Sequence, residues 1–171
     1  STGNLAVHLE KLEAGVSVVQ IVGEFEDKLN AADLTLLIQK PETPVYVMAD
    51  GRHFWRVIDN LMNNICKYAQ PGTRVYVDLR ENGGQVELIF RNTSRYPLNI
   101  SSEELMERFV RGDESRNTEG SGLGISIAKS LMELMGGSFM LYVDGDLFKV
   151  VLGFAQMEEE KEPLDEDKSG K

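Results

Sequence analysis

Apolar residues recur at helical spacing from Ser17 onward, where Val18, Ile21, Val22, Phe25 and Leu29 predict one amphipathic helix capped by Ser17 and ending near Asn30. Leu34 to Ile38 and Val45 to Met48, punctuated by Pro41 and Pro44, predict two short strands. Asp50 can cap a helix over about 52–69, in which Phe54, Val57, Ile58, Leu61, Met62, Ile65 and Ala69 share one face before Pro71-Gly72 stops it. Val75, Val77 and Leu79 then alternate with polar residues, as do Val86, Leu88 and Phe90, and Asn82-Gly83-Gly84 between them completes a β-hairpin. From Asn92 to Gly120 the periodicity is weak apart from Ser102 to Val110, and so long a connection predicts a mobile lid. Leu123, Ile127, Leu131, Leu134 and Met135 mark a third helix closed by Gly136-Gly137, followed by a second hairpin of Ser138 to Val143 and Leu147 to Phe154. Phe148 and Phe154 fall on one face of that hairpin, while Met132, Met135, Met140 and Trp55 read as packing residues.

This order of elements predicts an α+β fold: a two-layer α/β sandwich with a mixed, mostly antiparallel sheet covered on one face by about three helices. The expected domain is 1–157. Residues 158–171 hold seven acids and three bases, so they carry −4 of the chain's net −10 and predict an acidic disordered tail. The body is only mildly acidic. That balance argues against nucleic acid as a partner, which needs a dense basic footprint, but leaves room for a small anion held by a few local cations.

Cys66 is alone, so there is no intramolecular disulfide and no multi-cysteine zinc site, and His8 and His53 are too few for a metal cluster. Neither an apolar run of bilayer length nor a signal core is present, which argues against membrane insertion by this stretch. A start at Ser1 suggests the interior of a longer protein.

Two features carry chemistry. At 100° per residue, Asn60, Asn64 and Lys67 fall within about 60° of arc along the border of the apolar face. Two neutral oxygen donors and one cation on a line suit a metal-bound phosphate, although a solvated helix edge is the simpler account of the spacing alone. Gly120-Ser121-Gly122-Leu123-Gly124 stands where a loop enters a helix, so bare N–H groups and the helix N-terminus can cradle an anion, or the glycines can simply serve as a hinge. The spacing matches neither a P-loop nor a dinucleotide fingerprint. Within the lid, Arg111 and Arg116 can reach a polyphosphate or face solvent, and Phe109 can anchor the lid. Asn92 can read a base edge or cap a turn, and Tyr68 can stack or pack.

Taken in order, Asn60-Leu61-Met62-Asn63-Asn64-Ile65-Cys66-Lys67-Tyr68, Arg108-Phe109-Val110-Arg111-Gly112-Asp113 and Gly120 to Gly124 resemble the N box, F box and second glycine box of the catalytic ATP-binding domain of sensor histidine kinases. That group shares the Bergerat-type fold of DNA gyrase and Hsp90 ATPases. The resemblance implies an ATP site, with Mg²⁺ held through the triphosphate and Asn64, phosphate contacts from Lys67 and Arg111, and Tyr68 and Asn92 at the nucleoside. It further implies that Gly120, Ser121, Gly122, Leu123 and Gly124 bind the phosphates. Asn60 stands where the gyrase-like ATPases keep a water-activating glutamate, and an amide cannot take that proton, so transfer is implied rather than hydrolysis. One departure is Asn92-Thr93-Ser94-Arg95-Tyr96, where the family usually has Asp-x-Gly-x-Gly.

The implied function is the kinase module of a two-component sensor, which binds Mg·ATP and donates the γ-phosphoryl to a histidine on a dimerisation domain outside this chain. The implied partners are ATP, that dimerisation domain and, indirectly, a response regulator. The implied location is a cytoplasmic domain of a protein anchored in the bacterial inner membrane. Two alternatives stay open: a serine kinase or ATPase of the same fold, and a degenerate nucleotide-binding or interaction module.

Overall fold

A computed structural model of the chain describes residues 6–111 and 123–158. Gly120, Ser121, Gly122 and Arg116, together with the predicted tail beyond Glu158, lie outside them. Seven strands, β1 (Glu10–Glu13), β2 (Leu34–Gln39), β3 (Tyr46–Ala49), β4 (Thr73–Asn82), β5 (Gln85–Thr93), β6 (Ser138–Asp144) and β7 (Leu147–Met157), form one sheet in the order β1-β3-β7-β5-β4-β2, with β6 also on β7. Only β2 and β4 run parallel among the described pairings, so the sheet is mixed and mostly antiparallel, as its patterning predicts. The β4–β5 turn works because Gly83 and Gly84 both hold positive φ, 56° and 83°, the backbone a two-residue hairpin needs.

Val75, Val77 and Leu79 on β4, Val86, Leu88 and Phe90 on β5, and Phe148, Val150, Leu152 and Phe154 on β7 are all buried, which is what a two-residue period delivers to one face. Helices cover that face. The apolar stripe of α3 (Gly51–Tyr68) docks on it, with Phe54 and Phe154 rings 5.5 Å apart, and α3 also packs against α1 (Ala14–Gly23) and α5 (Leu123–Leu134). Each such side chain contributes about 1.5–3 kcal/mol by leaving water. Helix α4 (Ser102–Arg111) lies along α5, so the weakly periodic segment holds a formed helix whose Phe109 meets Phe148 edge to face at 6.3 Å.

The first predicted helix departs from expectation. It is two helices, α1 and α2 (Glu26–Ala31), and its start lies earlier, because Glu13 rather than Ser17 caps it by accepting from the N–H groups of Gly15 and Val16. Ser17 instead donates its hydroxyl to the Glu13 carbonyl at 2.9 Å. Gly23 and a turned Phe25 break the run, yet Val18, Ile21, Val22, Phe25 and Leu29 are all buried, so the period identified the core and not the breakpoint. Five helices therefore stand among the described residues, against about three expected. Met132 and Met135 are core, but Met140 is 50% exposed because β6 turns it to the uncovered sheet face. Trp55 is 43% exposed and is held by its indole N–H donating to Glu24 at 3.2 Å rather than by burial.

Candidate functional site

The capping residue Asp50 sets the start of α3. Its carboxylate accepts from the N–H groups of Arg52 at 2.9 Å, His53 at 3.2 Å and His8 at 2.8 Å. Burial pushes this carboxyl up, but the N–H groups of His8, His53 and Arg52 and the His53 imidazole outweigh burial and hold it below the ordinary carboxylate range. At its other end the helix is stitched to the sheet: the Arg95 N–H donates to the Tyr68 carbonyl and the Gln70 N–H to the Thr93 carbonyl, both at 2.8 Å. These bonds bring Tyr68 beside the last residues of β5.

Between these anchors the polar edge of α3 opens onto a cleft of about 780 Å³. Asn60, Asn64, Lys67 and Tyr68 line it, together with Lys28 from α2, Arg95 from beyond β5 and Gly124 from the first turn of α5. A methyl group built on Gly124 would sit 3.6 Å from Oδ1 of Asn60, so the start of α5 faces the middle of α3 across the cleft. The described lining holds three cations and no carboxylate, in a chain whose net charge is −10. The start of α5 adds to the same field, and both contributions favour an anion in the cleft.

Asn64 and Tyr68 also border a second cavity of about 170 Å³, closed by Asn92, Ser94, Leu98, Leu105, Phe109 and Phe148. This one is apolar and aromatic with a few inward polar groups, the usual build of a pocket for a flat heterocycle. Lys67 Nζ lies 5.1 Å from the ring centroid of Tyr68, a residue that both cavities share. Two polar groups here have no partner among the described residues: Nδ2 of Asn60 and the hydroxyl of Tyr68, both buried. Buried groups of that kind are rare in folded proteins and mark places where a bound molecule or water completes the bonding.

Of the predicted site residues, Asn60, Asn64, Lys67, Tyr68 and Gly124 meet in the cleft, and Asn92 joins them through the smaller cavity. Arg111 instead borders a groove with Met106, Val110, Lys129 and Phe139, on the far side of α4. Leu123 opens α5. Lys28, Arg95 and Cys66 line the cleft without having been singled out. Lys28 donates to Oδ1 of Asn63 at 2.9 Å, a contact across 35 residues that no local pattern announces. Burial pushes the Cys66 thiol up, against a smaller opposing pull from Lys28, so it stays protonated near neutral pH.

The described residues hold no cluster of three or more His, Cys, Asp or Glu side chains able to grip a metal unaided. A hard cation fits here only if a polyphosphate brings it, with Asn64 as the lining amide whose oxygen would join its shell.

Such an anion cleft, roofed by helices on a mixed sheet and continued by an aromatic cavity, defines a nucleotide-binding domain of the two-layer kind. Residues 49–163 match the profile of the histidine kinase-, DNA gyrase B- and HSP90-like ATPases, and the chain belongs to that family. Among curated relatives, it is 29% identical over 137 residues to the probable sensor kinase SilS of Salmonella typhimurium and 34% identical over 110 residues to the probable sensor protein PcoS of Escherichia coli. The matches cover 78% and 62% of this chain, but it spans only 28% and 24% of those proteins' lengths. Among solved structures, the catalytic domain of histidine kinase ThkA overlays with a TM-score of 0.74 at 18% identity, covering 87% of this chain and 96% of that one. The mycobacterial sensor histidine kinase MprB gives 0.72 at 21% identity, covering 89% and 100%. Within the ATPase family, then, the chain corresponds to the ATP-binding catalytic domain of sensor histidine kinases.

Proposed function

We propose that this domain, spanning residues 1–157, binds Mg·ATP in the cleft and presents the γ-phosphoryl group to a histidine on a dimerisation domain of the same parent protein. The observation that carries this reading is the convergence of Asn60, Asn64, Lys67 and Gly124 on one cleft lined by cations and free of carboxylates among its described residues. Lys28, Lys67 and Arg95 supply the charge that draws in a polyphosphate. Asn60 and Asn64 offer amide oxygens that orient it, and the glycine cluster Gly120 to Gly124 offers bare N–H groups. Arg111, on α4, borders a separate groove, and its part in the proposal is the phosphate contact that the motif order implies. When bound, the nucleotide and its Mg²⁺ supply the transferable phosphoryl group and neutralise the charge that builds on its oxygens.

Neither cavity is lined by a described Asp, Glu or His, so no described lining residue can take a proton from water. A histidine acceptor needs no such help, because the neutral imidazole nitrogen already carries its lone pair. This favours transfer over hydrolysis. Among structural neighbours, ThkA is recorded in complex with a response regulator protein, TrrA, and an analogous regulator would receive the phosphoryl group here. None of the described helices is long and apolar enough to cross a membrane. We place the domain on the cytoplasmic side of a parent anchored in the bacterial inner membrane, and residues 158–171 as an acidic tail.

The test is calorimetry of ATP binding with and without Mg²⁺ on the native chain, Asn64→Ala and Lys67→Ala. Each variant should lose about tenfold in affinity, roughly 1.4 kcal/mol. Three equal affinities would overturn the site. Mixing the domain with its dimerisation segment should yield acid-labile phosphate, whereas acid-stable label would point to a serine acceptor and steady hydrolysis by the domain alone to an ATPase.

A further inference from the structure

Asn92 closes the β5 run on the helix-facing side of the sheet, in register with Phe148 on β7, where the alternation of Val86, Leu88 and Phe90 calls for an apolar residue. It is only 4% exposed. Its backbone pairs within the sheet, yet its carboxamide makes no hydrogen bond among the described residues and opens onto the smaller cavity beside the unpartnered Tyr68 hydroxyl. A polar side chain held this deep with no hydrogen-bond partner among the described residues has its bonding capacity directed at the cavity it lines.

The chemistry of that group sets what it can read. A carboxylate only accepts hydrogen bonds, whereas a carboxamide offers one acceptor and two donors. The 6-position edge of adenine presents an amino donor beside a ring acceptor, and that of guanine presents a carbonyl acceptor beside a ring N–H. An untethered amide can meet either by turning over, and no described contact holds Asn92 in one orientation. The other walls include Leu98, Leu105, Phe109 and Phe148, apolar side chains that suit the faces of a flat ring, which all purines share.

We infer that the base end of the cleft accepts guanine as well as adenine nucleotides, with the Asn92 carboxamide reading the 6-position of either purine. This rests on the nucleotide reading above and adds the class of nucleotide taken.

Competition binding on the full chain with Mg²⁺ tests it, using ATP, GTP and the triphosphate of unsubstituted purine riboside. GTP should bind within about tenfold of ATP, and the purine lacking a 6-substituent should fall about tenfold below both. Asn92→Asp should tighten ATP and weaken GTP, widening the gap to about a hundredfold, because an acceptor-only side chain repels the guanine carbonyl. The ligand series on the native chain stands even if that variant fails to fold. An ATP preference above a hundredfold in the native chain, or a ratio indifferent to Asn92→Asp, overturns the inference and leaves the kinase reading intact. Failure of ATP and GTP alike overturns the nucleotide reading itself.

Discussion

At the beginning of α3, Asp50 receives three backbone N–H groups, Nε2 of His53 lies 3.1 Å from the Ala6 carbonyl, and Trp55 donates to Glu24. From its middle to its last turn, Nδ2 of Asn60 and the Tyr68 hydroxyl are buried with no partner among the described residues, and Asn64 borders both cavities. One helix thus holds polar groups satisfied by the protein at one end and, toward the other, buried polar groups with no partner among the described residues. The contrast separates structure from function more sharply than residue type does, since His53 and Asn60 share a helical face yet border different cavities. Polar groups that complete the fold should cost stability when removed and leave nucleotide binding alone. Those awaiting a ligand should do the reverse.

The largest effect expected under this contrast falls on Asp50. Asp50→Ala removes a cap and strands three N–H groups, one of them on His8 and so tying down the segment before β1. Chemical denaturation should show a loss of about 2 kcal/mol with ATP affinity unchanged. The sign of its pH dependence follows from the depressed carboxyl. A group whose folded pKa lies below its unfolded value contributes fully above that unfolded value, about 3.9, and loses the contribution as pH falls through the folded one. Melting temperature below about pH 4 should therefore fall less steeply in Asp50→Asn, which keeps a neutral cap, than in the native chain. Equal slopes would remove Asp50 from the account.

A smaller effect of opposite sign is expected at Tyr68. Deleting a buried hydroxyl that has no partner among the described residues relieves its desolvation, so Tyr68→Phe should raise the stability of the free domain by about 1 kcal/mol while lowering ATP affinity about fivefold. A loss of stability would show that the hydroxyl serves the fold, and the contrast between the two ends of α3 would fail.

How far each end was legible follows from the same physics. The apolar stripe of α3, its Asp50 cap and both hairpins are periodic and local, so the chain alone reveals them. Strand β1, Glu-Lys-Leu-Glu, has no apolar alternation and exists because β3 pairs with it and Glu13 turns to cap α1. Met140 looked like core because hydrophobicity does not say which sheet face is covered. The asparagines and Gly124 were readable from an ordered motif, whereas Lys28 and Arg95 reach the cleft only through tertiary contacts, Lys28 to Asn63 and Arg95 to the Tyr68 carbonyl.

The smallest effect belongs to Trp55, and it sharpens the contrast because tryptophan so often anchors ligands. Its ring is 43% exposed, it borders a cavity with His8 and Arg56 separate from the cleft, and its indole N–H already donates to Glu24 at 3.2 Å. A surface hydrogen bond with this much solvent around it contributes little, since water replaces the lost partner. Trp55→Phe should lower stability by no more than about 0.5 kcal/mol and leave nucleotide affinity unchanged. Its tryptophan fluorescence, the only such signal in the chain, should likewise stay flat as ATP titrates into the native protein. A strong quench would mean that the two ends of α3 are coupled, with ligand binding at Asn60 and Asn64 transmitted along the helix to a region whose polar groups the fold has already satisfied.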